Sequence, residues 1–154
     1  MSNIKTISSL IPLILNNLPP NIANKLVYEH LLNENEFWSP FPVPLIAKNQ
    51  FLYKENQNSP YMMSTCIDLN WFISLGLMKH GFINLAVELS EKTIEMVRLN
   101  GFYKFYNSET GKGKVKYSTA SIVLDLSKKL ETFNSSMNFV FDREWNRIKR
   151  LPDF

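Results

Sequence analysis

Two strongly helical parts of the chain are separated by the stretch Gly101-Phe-Tyr-Lys-Phe-Tyr-Asn-Ser-Glu-Thr-Gly-Lys-Gly113. Its glycines and its Asn-Ser pair predict turns, and its aromatic residues predict a loop presented by packed helices. Such a loop is one way to build a carbohydrate-binding mouth, because sugar rings lie on aromatic faces while polar groups bind the hydroxyls. The alternative is a connection whose rings pack on their own helices, and composition alone favours that alternative.

Length and composition predict one ordinary globular domain. The chain has 154 residues, of which 45% are hydrophobic and 20% are charged. The formal net charge of +3 is too small to indicate nucleic-acid binding. The single cysteine, Cys66, excludes an internal disulfide and fits a reducing compartment.

The apolar run from Leu10 to Leu15 requires a check for a signal peptide or an anchor. Only Lys5 precedes it as a basic residue, and no small-residue cleavage site follows it. The run is also far too short to span a bilayer. We therefore predict a buried helix in a cytoplasmic protein that makes no use of a membrane.

The remaining pattern is helical, and apolar helices alternate with amphipathic ones. The predicted helices are a short apolar one from Ser8 or Ser9 to Leu15, an amphipathic one opening at Pro19-Pro20, an apolar one from Ser64 or Thr65 to His80, an amphipathic one from Phe82 to Asn100, one from Ser118 or Thr119 to Phe133, and a short one within 139–150. The alternation predicts αα-hairpins arranged as a solenoid or as a closed ring. No repeat period is visible, which disfavours the solenoid.

Asn33 to Met63 is predicted to be a long loop, because its prolines (40, 42, 44 and 60) oppose regular helix. Phe37 to Pro44 forms an extended, aromatic-faced stretch that could serve as a proline-rich recognition ligand. A long loop inside a compact domain is more often functional than merely flexible. His30 lies on the apolar stripe of its helix without a second ligand at suitable spacing, so no metal site is expected.

Several motifs resemble one enzyme family when they are taken in order. They are Leu10-Ile-Pro-Leu13, His30-Leu-Leu32, Glu36-Phe-Trp-Ser-Pro-Phe-Pro-Val-Pro44, Asn70-Trp-Phe72, Gly101-Phe-Tyr103 and Thr110-Gly-Lys-Gly113. The set resembles the C-terminal portion of the six-hairpin glycosidases, in the group of glycoside hydrolase family 63 and the mannosylglycerate and glucosylglycerate hydrolases, over about residues 8–126. The resemblance implies an all-α fold, a partial (α/α)6 toroid of about two and a half αα-hairpins over residues 1–133, with a tail at 134–154. It also implies inverting hydrolysis of α-linked glucosides or mannosides without a cofactor.

The catalytic positions depart from that family. Inverting hydrolysis needs a carboxylic acid to protonate the leaving oxygen and a carboxylate to activate water. The family's acid is an aspartate that precedes every residue present here, and the position of its basic glutamate is occupied by Lys104. A lysine is cationic near neutral pH and offers no carboxylate. Glu109, five residues further on, is a weak substitute.

Two binding segments depart as well. The family's Tyr-Trp-Arg-Gly-Pro-x-Trp segment falls on residues 60–66, so its arginine and second tryptophan are lost. Its Phe-Ser-Trp-Thr-Ala segment falls on residues 116–120, where a further tryptophan is lost. The aromatic residues left as candidate substrate-binding residues are Trp38, Tyr61, Trp71 and Tyr103.

Three hypotheses follow for the function. The chain is a truncated, glycoside hydrolase-like protein of carbohydrate metabolism that is inactive alone, because the acid is absent and Lys104 replaces the base. Alternatively, it is half of a split α-glycosidase completed by a separate N-terminal chain, or a small helical interaction module with a basic C-terminal face. The expected partners are carbohydrate and a complementary N-terminal half or a second copy in a homodimer, and neither nucleic acid nor membrane is expected.

Overall fold

The computed structural model describes residues 4–55, 63–114 and 120–132, most of them helical. Tyr61, the residues aligned with the family's Phe-Ser-Trp-Thr segment and the tail at 134–154, with its expected last helix, lie outside the described residues.

The first hairpin joins a 3-10 helix, Ile7–Ile14, to helix α1, Pro20–Lys25, which continues as a π-helical turn over Leu26–Leu31. α1 opens at proline as predicted, because a proline at the first helical position loses no hydrogen bond. The apolar first helix is confirmed as a buried element: Leu10 and Leu13 are fully buried. Its 3-10 form was not predicted.

The segment predicted to be a long loop is irregular over most of its described residues. A short helix, α2, spans Phe51–Glu55 within it. Backbone hydrogen bonds join the segment to the start of the first hairpin: Ile7 N–H donates to Leu45 O and Ala47 N–H donates to Lys5 O. The prolines prevent a longer helix, as expected.

The second hairpin consists of α3, Ile67–Lys79, and α4, Ile83–Asn100. Gly81 and Gly101 follow the two helices with φ of +82° and +84°, a left-handed conformation that glycine adopts without a Cβ penalty. Both predicted stops are therefore confirmed. Of the residues of α3, only Phe72 and Lys79 are exposed, so the expectation of a largely buried helix is also confirmed.

The final helical segment begins with a 3-10 turn at Ala120–Ile122 and continues as a helix over residues 123–132. It lies against α3, which also packs against α4 and the 3-10 helix Ile7–Ile14. Val123 and Leu126 are buried at this contact. The order of two hairpins and a further helix agrees with the prediction, and α3 is the element that the others share.

The expectation of an all-α fold needs correction. Strand β1, Ser64–Cys66, pairs antiparallel with strand β2, Phe105–Asn107. Isolated bridges extend the ladder on both sides, from Pro44 to Thr65 and from Tyr106 to Gly113. Residues expected to cap α3 or to form an irregular loop are thus in strands, because pairing with distant segments satisfies their backbone groups.

The core has a large and a small part. The large cluster fills the space between the two hairpins, and a smaller one, which includes Ile67, Met96 and Tyr106, lies beneath the β ladder. None of the helices in the described ranges has the length and apolar character needed to cross a membrane. Those ranges also contain no group of three His, Cys, Asp or Glu residues suited to a metal ion.

Candidate functional site

The β ladder gathers the loops that carry the family-like motifs. Phe41 N–H donates to Ser108 O at 2.9 Å, and Leu45 N–H donates to Ser64 O at 2.7 Å. Ser108 N–H in turn donates to Met63 O at 2.8 Å. The proline-rich segment, the start of α3 and the Gly101–Gly113 stretch therefore meet in one place, although they are widely separated in sequence.

Asn70 fixes the proline-rich segment to the helical core. Its side chain is fully buried and accepts a hydrogen bond from Val43 N–H at 3.0 Å. It donates to Pro42 O at 2.6 Å and to Thr93 Oγ1 at 2.9 Å. Asn70 thus links α3 by hydrogen bonds to α4 and to the segment that carries Trp38 and Phe41. These bonds supply the partners that buried backbone groups need.

Met63 has an unusual backbone conformation at the position that the resemblance aligns with a glycine. The glycine of that segment falls on Met63, whose φ is +52°. A left-handed conformation is uncommon for a residue with a side chain and is the usual reason for a glycine. The backbone at Met63 therefore has a conformation that favours glycine.

Lys104, which the motif resemblance aligns with the family's general base, has an exposed side chain. Its ammonium nitrogen lies 5.4 Å from the centroid of the Phe105 ring, within the range of a cation–π contact. An ammonium group has three donors and no acceptor, so it cannot take a proton from water as a carboxylate does. The side chain at this position therefore cannot act as an inverting base.

Glu109, the substitute considered from the sequence, is already engaged. The hydroxyl of Tyr53 donates to Glu109 Oε1 at 2.7 Å, and Lys48 Nζ lies 3.4 Å from the same oxygen. Burial raises the pKa of the Tyr53 phenol, and the Glu109 carboxylate raises it further, so the phenol remains a proton donor. The contacts hold Glu109 as a paired carboxylate rather than as a free base.

Glu109 and Trp38 line the same cavity, so two of the candidate residues are brought together. The cavity has a volume of about 360 Å³. It is lined by Glu34, Trp38, Ser39, Pro40, Lys48, Lys92 and Glu109. Lys104, Trp71 and Tyr103 are not among the lining residues.

Tyr103 and Trp71 have structural partners. A Cβ built on Gly113 would lie 2.3 Å from the Tyr103 ring, so the glycine is needed for this ring to pack. Trp71 donates its indole N–H to Asp125 Oδ2 at 2.6 Å and links α3 to the final helix. This hydrogen bond makes the largest contribution to lowering the pKa of Asp125, and Lys129 lowers it further, whereas burial acts to raise it. For these two residues the alternative of a structural role has direct support.

One polar cluster was missed by the sequence reasoning. Glu36 is buried; Lys5 Nζ donates to its Oε1, and His30 Nδ1 lies 2.9 Å from its Oε2. Burial acts to raise the pKa of Glu36, but the hydrogen bonds from Lys5 and His30 outweigh it and the pKa is lowered. His30 is partly buried on the apolar stripe of its helix. Its partner Glu36 lies after the end of that helix, so helical spacing gives no indication of the contact.

Comparison with known proteins places the fold. No protein-family model and no curated protein matches the chain. Solved structures of a family 63 mannosylglycerate hydrolase from Thermus thermophilus, one in complex with glucose and one with Tris and D-glycerate, match with a TM-score of 0.69 and 21% identity. An uncharacterized conserved protein from the same organism matches equally well. The matches cover 80% of this chain but only 31%, 30% and 31% of those chains, respectively. The resemblance inferred from the motifs is confirmed at the level of the fold.

Proposed function

We propose that this chain is a glycosidase-like scaffold, an arc of an (α/α)6 ring, that binds carbohydrate without hydrolysing it. The observation that carries the proposal is the exposed ammonium of Lys104 at the position where the family resemblance implies a basic glutamate. The proposed setting is carbohydrate metabolism in the cytoplasm, where the buried thiol of Cys66 would remain reduced.

The carboxylate of Glu109 does not replace the missing general base. Inverting hydrolysis requires two carboxyl groups about 6.5–9.5 Å apart, with a water held by the base on the far side of the sugar. Glu109 Oε1 is occupied by Tyr53 and Lys48, so proton abstraction there would have to disrupt a hydrogen bond and an ion pair. Loss of activity with retention of the scaffold explains why the matched motifs persist at packing positions such as Asn70 and Gly113.

Carbohydrate binding is supported by the matched structures and by the cavity. The mannosylglycerate hydrolase was solved with glucose and with D-glycerate bound. The cavity beside Trp38 combines an aromatic side chain with lysine and glutamate side chains, which suits a ligand rich in hydroxyl groups.

Hydrolysis assays test the proposal. The purified chain, incubated with p-nitrophenyl α-glucoside, p-nitrophenyl α-mannoside, glucosylglycerate and mannosylglycerate, should release no sugar above the uncatalysed background. Turnover that Glu109→Gln abolishes would overturn the proposal and identify the base. Glu29→Gln is the matched control, because Glu29 is an exposed glutamate that is also paired with a lysine.

The alternative of a split enzyme has two observations in its favour. The chain spans less than a third of the length of the matched hydrolase structures. Apolar side chains are exposed near the two ends of the arc: Ile4 and Leu15 beside the 3-10 helix, and Leu124 on the final helix. Exposed apolar patches commonly mark interaction sites.

Sedimentation velocity at micromolar concentration separates the possibilities. A complementary N-terminal half or a homodimer predicts a larger species that Leu124→Lys dissociates. A stable monomer that no separate chain converts into a hydrolase would remove this alternative.

A further inference from the structure

A second cavity adjoins the one beside Trp38. It has a volume of about 470 Å³ and is lined by Pro40, Phe41, Glu91, Lys92 and Glu95. Pro40 and Lys92 line both cavities. The two cavities therefore form one groove, which we call the outer groove, between the segment 38–41 and the polar face of α4.

The aromatic wall of the outer groove is held in place before any ligand arrives. Trp38 is half-buried and packs against the large core cluster. Phe41 is half-buried, and its ring lies so close to Gly111 that a Cβ there would be 2.9 Å from it. Ser39 Oγ donates to Phe41 O at 3.1 Å and fixes the backbone between the two rings. A preorganised wall avoids part of the entropy cost of binding.

The polar walls carry both signs of charge. Lys48 Nζ lies 3.4 Å from Glu109 Oε1, and Lys92 Nζ lies 3.9 Å from Glu88 Oε1. The second of these distances is at the outer limit of an ion pair, so Lys92 retains donor capacity toward the groove. Contacts to Glu109 from Tyr53 and Lys48 use Oε1, and none of them uses Oε2.

The mixture of positive and negative side chains in the walls favours a neutral ligand. A strong anion would meet the carboxylates that line the groove, and a cation would meet Lys48 and Lys92. The carboxylates are Glu34, Glu91, Glu95 and Glu109, of which Glu95 is paired with Arg98 and Glu109 with Lys48. Each hydroxyl of a neutral sugar both donates and accepts, so it can pair with ammonium and carboxylate groups alike. The apolar face of a sugar ring also fits an aromatic wall.

We propose that the outer groove is a binding site for neutral oligosaccharides, with Trp38 and Phe41 as the stacking surface and Lys92 and Glu109 as the hydroxyl partners. The inference rests on the carbohydrate binding proposed above and adds the place and the ligand class. Lys104 does not line the groove, so the site is separate from the lost base position.

Titration with maltotriose, followed by the tryptophan indole signals in ¹H–¹⁵N spectra, tests the inference. The Trp38 signal, assigned with Trp38→Phe, should shift with saturable binding. The Trp71 signal should stay in place, because its indole N–H is bonded to Asp125 outside the groove. Glucuronate and glucosamine should bind no more tightly than methyl α-glucoside of the same size.

Two variants test the polar partners without disturbing the core. Lys92→Ala and Glu109→Gln should each weaken maltotriose binding about three- to tenfold, the range expected for the net contribution of one ordinary hydrogen bond at a solvated site. Lys25→Ala is the matched control and should have no effect, because Lys25, at the end of α1, forms an equivalent i,i+4 pair with Glu29 of the following π-helical turn, also at 3.9 Å.

The outcomes separate this inference from the proposed function. An unshifted Trp38 signal, or binding that both variants leave intact, would overturn the outer groove as the site. If Trp71 alone shifts, the chain binds carbohydrate elsewhere, and only the inference fails. If maltotriose shifts Trp38 but α-glucosides are hydrolysed, only the proposed lack of activity fails.

Discussion

Replacing Asn70 with alanine should destabilise the protein more than any single loss of an exposed ion pair. The substitution removes three hydrogen bonds and leaves Val43 N–H and Pro42 O buried without their partner. A buried polar group left unsatisfied costs about 1–3 kcal/mol, so two of them give a loss of roughly 2–6 kcal/mol. A domain of ordinary stability, roughly 5–15 kcal/mol, would lose a large part of its margin.

Urea unfolding followed by far-ultraviolet circular dichroism measures this loss, because the described residues are mostly helical. Thr93→Val is the matched control, since it removes one of Asn70's partners but keeps the shape of the side chain. We expect a loss of about 1–2 kcal/mol for the control. A cost for Asn70→Ala no larger than that of Thr93→Val would refute the view that Asn70 brackets the proline-rich segment.

Two further predictions concern stability. Gly113→Ala should cost about 1–3 kcal/mol in urea unfolding, because the new Cβ would overlap the Tyr103 ring, and an unchanged midpoint would contradict the packing described for Tyr103. The pKa of Glu36 is lowered in the folded state. Its pairing with Lys5 and His30 therefore stabilises the protein fully at a pH above 4.5, the ordinary pKa of a glutamate. That stabilisation is lost as the pH falls through the folded-state pKa. Melting temperatures measured from neutral pH into the acid range should therefore fall less steeply for Glu36→Gln than for the wild type, and parallel curves would show that Glu36 makes no contribution to acid sensitivity.

The candidate site was only partly predictable. The motif resemblance indicated the importance of residues around Trp38, Asn70 and Gly101–Gly113, and the structure brings these segments together at the β ladder. The sequence also predicted that Lys104 occupies the base position, and this assignment stays a prediction. It gave no sign that Trp38 and Glu109 share a cavity, since that cavity depends on Lys48 and Lys92, which belong to no motif.

The helices could be predicted because their signals are local. A helix repeats its apolar residues every three or four positions and ends where glycine permits a left-handed turn, as at Gly81 and Gly101. Proline likewise set the start of α1. These features are properties of neighbouring residues, so the order of two hairpins and a further helix followed from the sequence alone.

Only the tertiary structure decided what the polar and aromatic side chains contact. The strands Ser64–Cys66 and Phe105–Asn107 are three residues long, too short to show a strand pattern, and each is stabilised by a partner about 40 residues away. The sequence predicted Trp71 as a substrate-binding residue, and only the structure shows that its indole N–H donates to Asp125 on another helix. Such contacts join residues that are far apart in the chain, and the energy of each depends on a partner that local spacing does not identify.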